Sequence, residues 1–231
     1  MKTIGLIGGM SWESTQTYYR LINVAIREKL GGLHSARLVL YSVNFHDIEV
    51  LQRQGDWQAA GVLLAQAAQS LQAAGADMVV ICTNTMHKVA EQVQAAVSIP
   101  LLHIADPTAQ AVRAAGYQRI ALLGTRFTME QDFYRARLEQ QHGLQVIVPE
   151  QNERDTVHRI IYEELCLGQI KPESKAAYLD IIRQLQARGA QAVILGCTEI
   201  SLLVQQADLD LPLFDTTALH AMAAADAALI L

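Results

Sequence analysis

The chain repeats itself, and that limits the folds open to it. TIGLIGGM (3–10), followed later by YYR, is echoed by RIALLGTR (119–126), followed later by FYR, so Gly8 matches Gly124. GADMVVICTNT (75–85) is echoed by GAQAVILGCTEI (189–200), matching Gly75 to Gly189. IPLLHIAD (99–106) is echoed by LPLFDTTA (211–218), matching Pro100 to Pro212. The separations of 116, 114 and 112 residues drift slightly and keep their order, which duplication explains better than chance likeness among apolar strands.

Each echo contains a short apolar run, and such runs alternate with longer amphipathic stretches. Strands are expected at 2–8, 37–43, 77–82, 100–104, 119–124, 144–149, 192–196 and 211–214. Between them lie helical patterns such as WQAAGVLLAQAAQSLQAAG (57–75), apolar at three- and four-residue spacing and closed by glycine. Strand–helix–strand alternation predicts an α/β fold with mainly parallel sheets, here as two pseudo-symmetric α/β domains. The first is expected to comprise 1–105 plus 213–231, the second 106–212, with the last helix after FDTT (214–217) returning to the first. Ligands of open α/β sheets sit beyond the carboxyl ends of the strands, so a site in the cleft between the domains is expected.

Bulk properties narrow the function. With 231 residues, 51% hydrophobic and 18% charged, the chain can bury real cores. A net charge of −5 and no Lys/Arg cluster argue against nucleic acid. No apolar run is long enough to span a bilayer, and MKTIGLIGG is too short and glycine-broken for a signal peptide. A cytoplasmic protein is expected, in which three scattered cysteines are free thiols. No CxxC or HExxH pattern marks a metal site, and GLIGGM lacks the full dinucleotide fingerprint.

Four strand ends carry small polar residues: GGMS (8–11), CTNT (82–85), GTRFT (124–128) and GCTE (196–199). Each is expected to lead into a helix whose N-terminal N–H groups suit a small anion such as a carboxylate. TMEQ (128–131) has capping-box spacing. Cys197, at a strand end before a helix, is the best nucleophile or base, and the helix terminus predicts a lowered thiol pKa. The 114-residue shift superposes Cys197 on Thr83 and Gly196 on Cys82. Successive strand side chains point to opposite faces, so Cys82 is expected to be packing if Thr83 faces the ligand. Cys166, inside IIYEELCLG, reads as structural or as lying on a helix near the cleft.

GLIGGMSWEST, CTNTMH, LLGTRFTM and LGCTEI, in that order, resemble the aspartate/glutamate racemase superfamily and, within it, the aspartate racemase-like branch. The resemblance implies two α/β domains, commonly in a homodimer, working without pyridoxal phosphate, metal or other cofactor on a small amino-acid substrate. One cysteine removes the α-proton and a second reprotonates the opposite face. By motif the second cysteine is Cys197, and the first is replaced by Thr83, because Asn84–Thr85 follow it. A thiol has pKa ~8.5 and an alkanol resembles water at ~15.7, a difference of about 10 kcal/mol against forming the anion. Thr83 is therefore a poor base that can still donate or relay a proton, and catalysis is expected to be asymmetric, favouring the L-enantiomer on the Cys197 side.

The same resemblance implies substrate contacts from the Met10 backbone N–H, Asn84, Thr85, Thr125 and Thr198, with Gln52 and Glu164 as further contacts. A neutral Gln52 where relatives carry a cation weakens strict acidic specificity, so aspartate, glutamate or a broader set such as homoserine is expected. Glu199 either caps its helix or orients the ligand, and His87 either supports its loop or is structural. Two other readings stand beside this one: a single-cysteine decarboxylase or isomerase of the same superfamily, and a non-catalytic amino-acid-binding relative.

Overall fold

A computed structural model describes residues 1–230 as two compact units. The first runs over Met1–Ile104 and resumes at His220; the second is Ala105–Leu219. The first unit holds strands β1 (Ile4–Gly8), β2 (Leu38–Ser42), β3 (Met78–Ile81) and β4 (Leu101–Leu102). The second holds β5 (Arg119–Gly124), β6 (Gln145–Ile147), β7 (Ala192–Gly196) and β8 (Leu213–Asp215). Every strand pairing is parallel, in the orders β2-β1-β3-β4 and β6-β5-β7-β8. The second order repeats the first, strand for strand.

The inner strands read as unbroken apolar runs because both sheet faces are covered. All residues of β1, β3 and β7 are buried. In the first sheet, alternation sends Ile7, Val79 and Ile81 to a cluster with Ala60, Leu64, Ala67, Ala68 and Leu71 of the helix Trp57–Ala73. It sends Ile4, Leu6, Met78, Val80 and Cys82 to the opposite cluster, with Tyr18, Ile22 and Ile26 of the helix Trp12–Leu30.

That second face also explains the return of the chain. The helix Thr216–Leu229 supplies Ala221, Ala224, Ala225 and Ala228 to it, spaced to form one narrow stripe. At about 0.8 kcal/mol per buried methyl-sized group, the four alanines contribute roughly 3 kcal/mol. The return is expected at residue 213, but residues 213–215 are held in the second sheet by parallel pairing of β8 with β7, and the first unit resumes only at His220. The second core gathers Ala121, Leu123, Val193 and Leu195 with helix residues such as Val157, Ile160, Tyr178 and Leu185. No helix among the described residues is long and apolar enough to cross a membrane.

Candidate active site

The register of the two sheets fixes which strand-end residues correspond. In the first unit Ile7 lies beside Ile81, and the Cys82 N–H donates to the Ile7 carbonyl at 2.9 Å. In the second, Gly124 lies beside Gly196. Gly8 thus matches Gly124, Cys82 matches Gly196, and the next residues, Thr83 and Cys197, hold equivalent positions.

At the first of these positions the backbone is tightly held. Gly9 has φ of +91°, and a Cβ there would strike the Val43 carbonyl, so only glycine fits this turn. Its N–H donates to Thr15 Oγ1 at 2.8 Å. Ser11 N-caps the helix Trp12–Leu30, accepting from the Ser14 N–H at 3.3 Å. The Ser14 hydroxyl then donates to the Cys82 carbonyl at 3.0 Å. Met10 is buried in the same apolar cluster as Ile7 and Ile48.

Cys82 is fully buried, and burial pushes its thiol far above the ordinary range. Thr83 retains partial exposure. Its carbonyl accepts from His87 Nδ1 at 2.8 Å, while His87 Nε2 accepts from the Ile104 N–H at 3.2 Å. Because a carbonyl only accepts and an amide N–H only donates, His87 is a neutral ring with its proton on Nδ1. Asn84 and Thr85 are buried at the start of the 3₁₀ turn Thr85–Val89. Gln52 is buried and its amide donates to Met86 Sδ at 3.1 Å, whereas Arg53 is exposed with Glu49 at 3.8 Å.

In the second unit the glycines allow close backbone approach. A Cβ on Gly196 would lie 2.9 Å from the Leu123 carbonyl oxygen and one on Gly124 the same distance from that of Gly196. Thr125 N-caps the helix Arg126–Glu130, accepting from the Thr128 N–H at 3.3 Å. The capping box expected at TMEQ does not form: Thr128 lies inside this helix, because extended backbone at Thr125 already makes the turn out of β5.

Cys197 is partly exposed, and its thiol donates to Glu199 Oε2 at 3.0 Å. Its carbonyl accepts from the Ile200 N–H at 3.2 Å. Loss of solvent pushes this thiol well above its ordinary value, and the negative charge of Glu199 adds to the effect, as does Cys166. The lowered pKa expected from a helix terminus is not found. The helix that follows, Ile200–Leu203, is a single turn, and a carboxylate faces the sulfur. Cys197 therefore rests as a neutral thiol.

Thr198 is buried and its hydroxyl accepts from that of Thr217 at 3.0 Å. Thr216 donates to the Leu195 carbonyl at 2.9 Å, so the FDTT segment, legible in the sequence only as a helix start, braces the strand end. Glu164 is buried and engaged: it accepts from Ser174 Oγ at 2.5 Å and Arg159 at 3.1 Å, with Lys171 at 3.6 Å. Cys166 and Cys197 both pack against the cluster that contains Tyr178 and Leu203.

Known proteins share this architecture. A crystal structure of a candidate Asp/Glu racemase from Yersinia pestis is 59% identical, covers 100% of both chains and superposes with a TM-score of 0.93. An aspartate racemase homologue from Pyrococcus horikoshii is 36% identical over 99% of both chains, with a TM-score of 0.85. The broad specificity amino-acid racemase RacX of Bacillus subtilis is 21% identical over 221 residues, 93% of each chain. The profile of the Asp/Glu/Hydantoin racemase family matches residues 7–224. The chain belongs to the Asp/Glu/Hydantoin racemase family.

Proposed function

We propose that this protein racemises amino acids without pyridoxal phosphate or metal, by removing and returning the α-proton on opposite faces of the substrate. Cys197 acts as base and acid on one face, and Thr83 relays a proton on the other. The observation that most supports this reading is the contrast among three side chains. Cys82 is sealed in an apolar cluster, while Thr83 and Cys197, at equivalent register positions, keep solvent contact. Asn84, Thr85, Thr125, Thr198 and the Met10 backbone bind the substrate carboxylates.

The two halves of the reaction are unequal. An alkoxide is about 10 kcal/mol harder to form than a thiolate, so abstraction on the Thr83 side is slow. The enantiomer presented to Cys197, which we assign as L, exchanges its α-proton faster. Equilibrium between free enantiomers is unaffected; only the rates differ. Gln52 is neutral and turned toward Met86, which favours a range extending beyond aspartate and glutamate to uncharged substrates such as homoserine.

The test is incubation in D2O with the L- and D-forms of aspartate, glutamate and homoserine, following α-proton loss by NMR alongside chirality. Exchange faster from one enantiomer supports the reading, and no exchange from any substrate rejects it. Carbon dioxide release from a malonate would point instead to a decarboxylase. We further propose a cytoplasmic homodimer. A sedimenting species of single-chain mass would reject the dimer, and recovery of the protein outside the cytoplasmic fraction would reject the location.

A further inference from the structure

We infer that Glu199 is the proton partner of Cys197: its carboxylate takes the thiol proton when Cys197 acts as base and returns it when Cys197 acts as acid. The inference rests on the role proposed for Cys197. Its geometric basis is the thiol-to-Oε2 contact of 3.0 Å, with both groups on one short loop after β7 and Glu199 itself buried.

The capping alternative lacks its hydrogen bond. Glu199 stands at the N-cap position of Ile200–Leu203, yet its side chain makes no cap bond there. Other ionisable groups near Cys197 are already committed or unsuited. Glu164 is held by Ser174, Arg159 and Lys171, and Tyr178 donates its hydroxyl to the Val157 carbonyl at 3.2 Å. Cys166 is a second thiol, a weaker acceptor than a carboxylate.

Charge conservation makes the pairing useful. A thiolate beside an ionised Glu199 would place two negative charges about 3 Å apart in a poorly solvated site, a costly state. Transfer of the proton within the pair keeps the total at one negative charge. The S–H bond of Cys197 breaks and an O–H bond forms on Glu199. The thiolate then takes the substrate α-proton, the Cα–H bond breaks as S–H reforms, and the electron pair stays on the substrate as a carbanion. In reverse, the thiol protonates the carbanion and Glu199 gives its proton back to sulfur. No oxidant or further reactant is needed.

The test compares wild type with Glu199→Gln in two assays: iodoacetamide alkylation at Cys197, read by mass spectrometry at pH 8, and α-deuterium exchange. Removing the facing negative charge makes the thiolate easier to form, so alkylation is expected to rise about tenfold or more. Exchange, deprived of its proton acceptor, is expected to fall about 100-fold or more. Opposite movement of the two is a signature that loss of folding would not produce.

Alkylation unchanged or slower would overturn the pairing. Faster alkylation with exchange intact would overturn the proton-carrying role. If Glu199→Gln shows no cooperative melt, Glu199→Asp decides: retaining the charge one methylene further away, it should keep alkylation near wild type while exchange falls about tenfold. Exchange as fast as wild type in that variant would overturn the inference. Should wild type exchange no amino acid at all, the racemase reading falls, and alkylation alone still decides whether the pair exists.

Discussion

Thr83 and Cys197 occupy the same register position in two sheets of identical strand order, each two residues beyond an equivalent strand pair, Ile81 beside Ile7 and Leu195 beside Leu123. An alcohol stands in one copy where a thiol stands in the other. The residue before each is packed or absent as a side chain: Cys82 is fully buried and Gly196 has none. On the proposed reading, reactivity follows position and not the presence of sulfur.

Cysteine replacement separates these roles. Cys197→Ala is expected to abolish α-proton exchange, whereas Cys82→Ala should keep most of it and lower stability by about 1–2 kcal/mol through lost packing. Exchange rates and urea midpoints for both variants check this, and loss of exchange in Cys82→Ala alone would refute the register assignment.

Alkaline pH should destabilise the fold. The buried Cys82 thiol is held above its unfolded value of ~8.5, so its contribution is complete below that pH and is lost as pH rises. Cys197 is raised as well, and so are the buried hydroxyls of Tyr134 and Tyr178. Each thiol that ionises only on unfolding removes about 1.4 kcal/mol per pH unit above ~8.5. Urea melts at pH 8, 9 and 10 should show a falling midpoint, and Cys82→Ala should fall less steeply.

Glu164 should matter for stability more than for substrate affinity. Its carboxyl is held below the usual range first by the Ser174 hydroxyl, then by Lys171 and Arg159, with burial opposing them. A lowered folded value means that its contribution is present above pH ~4.3 and is lost as pH falls. Glu164→Gln is expected to cost about 1–2 kcal/mol at pH 7, discounted because Arg159 and Lys171 are substantially exposed. An unchanged KM accompanies this; a KM that rises without loss of stability would instead make Glu164 a ligand contact.

His87 supports Thr83 through its carbonyl. His87→Ala is expected to slow exchange about tenfold, and His87→Asn, whose amide nitrogen can stand in for Nδ1, should recover much of it. His87→Gln, with its amide nearer the Nε2 position, should recover less. Equal rates in all three variants would show that the Thr83 contact is unimportant.

Much of this architecture is legible in the sequence, because parallel strands buried on both faces leave continuous apolar runs such as IGLIG, MVVI and AVILG. The equivalence of Thr83 and Cys197 is also legible, since duplication preserves spacing. Other features depend on contacts that spacing does not encode. Glu199 reaches back over Thr198 to Cys197 in a stretch of irregular backbone, which makes the thiol a resting acid where helix-terminus reasoning gives a lowered pKa. Thr125 takes the cap that TMEQ advertises, and β8 closes the second sheet before the chain returns.

The central claim, that an alcohol at position 83 makes the two faces unequal, is tested most directly by Thr83→Cys. The measurement is the initial rate of α-deuterium incorporation from each enantiomer, in wild type and variant. Restoring a thiol should raise exchange of the slower enantiomer about 100-fold or more while changing the faster one little. Equal rates from both enantiomers in wild type, or a Thr83→Cys ratio no closer to one, would contradict it.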